Sequence, residues 1–166
     1  MLPWKTILCP TDFSAPSHEA IQAGVELATH FDAGLILLNV ITPVPVVATA
    51  YDHQVFNVPT YQHDLETHAE AQLKNIAARL LAEAPGLAVS TRTIVFEPAY
   101  GIVQAAAEVK ADLIVIATHG QSGWRRFLFG SVTEKVVKMA ACPVLTIRAP
   151  EGEDEPAQVP PDNQGP

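Results

Sequence analysis

The sequence predicts a doubly wound α/β domain on a five-stranded, mainly parallel sheet with helices on both faces. Three observations carry this. Short apolar runs alternate along the chain with segments of helical period. One of them, Leu113-Ile114-Val115-Ile116, is apolar at every position, as a strand covered on both faces must be. A glycine-rich stretch then follows this run and leads into a helix start at Ser131. Parallel strands need right-handed crossovers, which place helices on both faces, so five strands with four helices between them imply this architecture.

In order, Thr6 to Pro10 forms the first strand, and a helix follows from about Pro16 to Phe31, where Ala20, Ile21, Gly24, Val25 and Ala28 recur at helical spacing. Ser14 and Ser17 are helix-start residues, not nucleophiles, since no base stands beside them. Gly34 to Ile41 is the second strand. Thr42 to Tyr61, rich in Pro and Val, has no period and is expected to be irregular. A long helix runs from about His63 to Ala84 and ends at Pro85-Gly86. Ser90 to Phe96 alternates as the third strand and Ala99 to Val109 is helical. Leu113 to Thr118 is the fourth strand, Ser131 to Ala140 the last helix, and Val144 to Arg148 closes the sheet.

Composition agrees with one domain over residues 1–148. The 166 residues are 48% hydrophobic and 17% charged, a globular balance, and a chain of this length buries about 70% of its unfolded surface. No apolar run approaches the length of a membrane span, and the N-terminus lacks the charged start and long apolar core of a secretory signal, so a cytoplasmic protein is expected. The net charge of −8 argues against nucleic acid or an anionic membrane as partner. It is unevenly spread: from Thr118 to Arg148, Arg125, Arg126, Lys135, Lys138 and Arg148 face only Glu134, giving +4 and leaving −12 elsewhere. Residues 149–166 hold five acids, five prolines and no base, with almost nothing to bury, and are expected to be a disordered tail.

Chemistry concentrates between Ala117 and Val136, which read ATHGQSGWRRFLFGSVTEKV. Gly120, Gly123 and Gly130 let backbone N–H groups approach a ligand, and Ser131 opens a helix whose first amides and dipole favour an anion. With Ala117, Thr118, His119, Gln121, Ser122, Val132 and Thr133 they form a candidate backbone cradle for a nucleotide polyphosphate. Ser131 to Glu134 also has the spacing of a capping box, which alone would account for Ser131. The glycines match neither Gly-x-x-x-x-Gly-Lys-Ser/Thr nor Gly-x-Gly-x-x-Gly.

Their spacing resembles instead that of the universal stress protein family, whose nucleotide-binding members carry Gly, two residues, Gly, nine residues, then Gly-Ser or Gly-Thr. Here Ala117 replaces the first glycine, which weakens close approach without forbidding it; Gly120 and Gly130-Ser131 match. Lys5 to Ser14 resembles the family's first strand and turn, Leu37 to Ile41 its second strand, and Ala111-Asp112-Leu113 and Cys142 to Ile147 are similar too, so the likeness runs from about Trp4 to Arg148. It implies a Rossmann-like, adenine nucleotide α-hydrolase-like fold that binds ATP, alone or with Mg2+. It places Asp12, after Pro10 and Thr11, where members meet the adenosine, and Val40 where their backbone contacts adenine. Asp12, Val40 and the glycine loop all follow strand carboxyl ends, where ligands bind in such sheets. A homodimer joined through the last strand is expected both from the likeness and from its uncovered edge.

Other constellations are weaker. Cys9 and Cys142 fall at opposite sheet ends and form no ligand pair; Cys9 is expected to be buried and Cys142 carries no activating neighbour. His63, Asp64 and His68 read as an exposed helix face rather than a metal site. His119 lacks an orienting carboxylate for acid or base work. Trp124, Phe127 and Leu128 give an apolar helical turn that packs on the domain or meets a second subunit. Three functions remain: a regulatory ATP-binding stress protein with at most weak hydrolysis, a slow ATPase or adenylating enzyme of the same superfamily, and a dimeric interaction module with a degenerate loop. A receiver domain is set aside because Asp12 has no acidic neighbour.

Overall fold

A computed structural model describes residues 2–45, 58–118 and 130–148. The elements are β1 (Thr6–Pro10), α1 (Ala15–Phe31), β2 (Gly34–Ile41), α2 (Val58–Glu83), β3 (Val89–Val95), α3 (Pro98–Glu108), β4 (Leu113–Ala117), α4 (Ser131–Met139) and β5 (Val144–Ile147). The strands form one sheet in the order β3-β2-β1-β4-β5. Every pairing is parallel. The doubly wound fold is therefore present, with boundaries within one or two residues of expectation except at α2.

α2 begins at Val58, inside the segment expected to be irregular, rather than near His63. Pro59 reads as a breaker, but in the first turn of a helix its missing N–H has no intrahelical role and its fixed φ already suits the helix. Only the later turns meet the sheet, through Ala69, Leu73, Ile76 and Leu80.

Strand alternation sorts the core into two layers. Ile7, Cys9, Leu35, Leu37, Leu113 and Val115 point towards α1 and α2. Leu8, Leu38, Ile114 and Ile116 point towards α3 and α4 and meet Ile102, Ala105 and Val136. Because strand and helix alternate and the strands are parallel, the helices start near the carboxyl edge of the sheet and the strands start at the other.

Candidate functional site

The sheet opens between β1 and β4, where the strand order reverses. β1 is in register with β2 from Thr6↔Gly34 to Pro10↔Leu38, whereas β1 and β4 pair only at Ile7↔Leu113 and Leu8↔Ile114. Past that point each strand follows its outer neighbour: Thr11 N–H donates to Leu38 O at 2.8 Å and Thr118 N–H to Ile147 O at 2.8 Å. The divergence leaves a cleft of about 520 Å³ at the carboxyl edge, within the usual size range of small-molecule sites. Pro10, Thr11, Asp12, Val40, Ala117, Gly130, Ser131, Val132 and Thr133, all expected from the sequence, line it.

The turn after β1 is tied down by its own side chains. Thr11 Oγ1 accepts from Phe13 N–H at 3.0 Å and lies 2.9 Å from Ser17 Oγ, while buried Asn39 donates Nδ2–H to Thr11 O at 2.8 Å. Asp12 Oδ1 accepts from Ser14 N–H at 3.1 Å and from Ser14 Oγ at 2.5 Å. These bonds hold Phe13 at φ 64°, a left-handed conformation rare outside glycine, and keep Asp12 at the cleft. Ser14 is the cap of α1, as its sequence position suggested, accepting from Ser17 N–H.

The opposite wall is the start of α4, and here the structure corrects the sequence. Gly130, not Ser131, is the capping residue; it has no side chain with which to cap the helix, and the expected Ser131 to Glu134 box is not made. Ser131 is an exposed residue within the helix, and Glu134 pairs with Lys138 at 2.6 Å. Nor does Gly130 use positive φ: at φ −67° and ψ 156° it has a backbone open to any residue. What glycine contributes is the absence of a side chain of its own beside the helix's first amides. Thr133 Oγ1 donates to Ala117 O at 2.7 Å in a buried bond that fixes this helix start to β4.

Sequence reading missed the α3 side. Pro98 and Ile102 line the cleft with Leu38, Ile116, Thr42 and Ser17. Leu38, Ile102 and Ile116 look like ordinary core residues, and Ser17 like a cap; only the strand order brings them to one opening. Beside Pro98, Glu97 caps α3 by accepting from Tyr100 N–H at 2.9 Å, and it pairs with Lys135 of α4 at 2.9 Å. The Tyr100 amide first, then Lys135, hold the Glu97 carboxyl below its ordinary range, and Glu97 in turn raises Lys135.

Thr118 is buried next to the cleft, with Gly130 N–H donating to its carbonyl at 2.6 Å. His119, Gly120, Gln121, Ser122 and Gly123 lie outside the described residues, as do Trp124, Arg125, Arg126, Phe127 and Leu128 and the tail from Ala149. Elsewhere, Cys9 is buried and burial pushes its thiol up; Cys142 is partly buried and is raised by the same cause, so neither is activated. His63, Asp64 and His68 are exposed on α2. Among the described residues no helix is long and apolar enough to cross a membrane.

The universal stress protein family model matches residues 3–148. Universal stress protein MJ0531 of Methanocaldococcus jannaschii is 35% identical over 150 residues, covering 90% of this chain and 85% of that protein. The solved structure of universal stress protein UspA from Lactobacillus plantarum superposes with a TM-score of 0.75 at 24% identity, over 89% of this chain and all of the other, which speaks to the fold. A universal stress protein solved in complex with cAMP matches with a TM-score of 0.62 at 27% identity, over 87% of this chain and 97% of that one. This chain belongs to the universal stress protein family.

Proposed function

We propose that this universal stress protein binds an adenine nucleotide, with ATP as the intended ligand, in the cleft between the carboxyl ends of β1 and β4, and acts through occupancy rather than fast turnover. One observation carries the reading. Three separated segments, the Asp12 turn, the end of β2 at Val40 and the start of α4, meet at one opening with an apolar side and a helix start whose cap residue, Gly130, carries no side chain. That arrangement suits a ligand with a flat heteroaromatic end and an anionic end. A relative bound to cAMP supports the adenine choice. Asp12 is the carboxylate among the described lining residues, and one carboxylate with ligand phosphates is a common way to hold Mg2+.

The deciding experiment is a thermal titration with ATP. The wild-type midpoint rises with ATP, and Gly130→Val abolishes the rise by placing a branched side chain over the α4 amides. Valine accepts the backbone found at Gly130, so the unliganded variant stays folded, at a cost of up to about 1 kcal/mol for the poorer cap. Equal ATP shifts in both proteins sink the assignment. Turnover is expected to fall far below the typical enzyme value of about 10 per second.

The same reading includes a cytoplasmic homodimer joined through β5. β5 is an edge strand whose Leu145 is 38% exposed, and an open edge can be completed by an identical strand across a two-fold axis. Thr146→Pro removes a backbone donor from that edge and shifts the protein to monomer in sedimentation; a wild-type monomer at tens of micromolar, where an interface of about −8 kcal/mol would be mostly filled, contradicts it.

A further inference from the structure

We infer that Gly101, in the second turn of α3 and not itself in the cleft lining, is a positioning residue that sets the shape of the cleft's apolar end and so its fit to the base. The inference rests on the nucleotide reading above and assigns a determinant within that site.

Two helical glycines let helices press onto this sheet, one on each face. A Cβ on Gly24 of α1 would stand 2.4 Å from Cys9 Sγ and 3.3 Å from Leu35 Cδ1, deep in the α1 and α2 layer. A Cβ on Gly101 would stand 2.8 Å from Val40 Cγ1, with Ile94 Cδ1 and Phe96 Cβ each at 3.2 Å. Both glycines have ordinary helical backbones; Gly86 is the described glycine with positive φ. What each supplies is room.

The neighbours separate the two. Cys9 and Leu35 are fully buried and do not line the cleft. Val40 is only partly buried and lines the cleft together with Pro98 and Ile102 of the helix that carries Gly101. A methyl at position 101 has two outlets. Either α3 lifts, carrying Pro98 and Ile102 away from Val40 and widening the slot, or Val40 turns and narrows it. Both change the apolar end. At the polar end, the Asp12 turn is held by its own bonds and by Asn39, and the start of α4 by the Thr133 bond to β4; the link from α4 to α3 is the exposed Glu97–Lys135 pair, one turn further along the helix.

Alanine is also the better helix former, so lost affinity in Gly101→Ala cannot be assigned to a weakened helix. The test measures the affinities of adenosine, AMP and ATP for the wild type, Gly101→Ala and Gly24→Ala, with the midpoint of each unliganded protein. Gly101→Ala weakens all three ligands by a common factor of at least five, leaving the ratio of ATP to AMP affinity unchanged. Gly24→Ala lowers the midpoint and keeps every affinity within twofold. The inference is overturned if Gly101→Ala binds all three within twofold of wild type, if only ATP is weakened, or if both variants lose affinity alike. A wild type that binds none of the three overturns the nucleotide reading itself and the inference with it. Should Gly101→Ala not fold, the comparison moves to a Val40→Ala background, where the closest opposing methyl is gone. There the added alanine changes affinity by less than twofold, and a full fivefold loss refutes the contact with Val40.

Discussion

The two ends of the sheet use their polar groups in opposite ways. At the amino end, Asp112 Oδ2 accepts from Lys5 N–H at 2.8 Å and Thr6 N–H at 3.0 Å, drawing the starts of β1 and β4 together. Gly34 N–H donates to Lys5 O at 2.9 Å on the other side of β1, and Trp4 packs edge-on against Phe31 with ring centroids 5.0 Å apart. At the carboxyl end the same two strands part, and the helix start that faces the gap is capped by a glycine, which offers no side chain, whereas the side chains of Ser14 and Glu97 cap α1 and α3 nearby. One end ties its backbone donors to nearby acceptors and is closed; the other sets a glycine-capped helix start beside a cleft. Stability and binding are therefore separable by where a substitution falls.

The largest expected effect breaks the closed end. Asp112→Ala strips two backbone donors of their shared carboxylate acceptor and costs about 2 kcal/mol in urea unfolding, since hydrogen bonds to a charged group are worth more than neutral ones. ATP affinity stays within twofold, so a large affinity loss would mean that the two ends are coupled. On the open side, Thr133→Val keeps the side-chain shape but deletes the buried bond to Ala117 O, at a cost of about 1 kcal/mol. It also frees the start of α4, so here ATP affinity falls together with stability; loss of stability alone would show that this bond does not hold the site. The smallest effect is in the acid limb. The Glu97 carboxyl is held low when folded, so its contribution is present above the ordinary carboxylate range and is lost as pH falls through the folded value. Glu97→Gln accordingly flattens the fall in thermal midpoint between pH 6 and about pH 3, and an unchanged slope would remove Glu97 from the account.

Much of the open end was legible in advance because its residues end strands or start helices. Pro10, Thr11 and Asp12 follow an apolar run, Val40 ends another, and Gly130 to Thr133 begin a helical period. The cap of α4 was misread because a capping box is recognised by spacing alone, and Ser131-x-x-Glu134 has that spacing even though the helix starts one residue earlier than a Ser131 cap requires. The start of α2 was misread for a related reason: Pro59 stops a helix from within but suits its first turn.

By itself the sequence determined the α/β class, the parallel strands, the two-faced burial of β4 and the family, because period, breakers and loop spacing are properties of neighbouring residues. Tertiary structure alone decided which strands adjoin, that β1 and β4 separate after two paired positions, and that Ile102, Pro98 and Ser17 share a cleft with Asp12. It also decided that two helical glycines should differ, Gly24 set against a buried thiol and Gly101 against a residue that lines the cleft. The reason is physical: strand order and helix-to-sheet distance are set by contacts between residues far apart in the chain, and no local pattern records which distant side chain a missing Cβ makes room for.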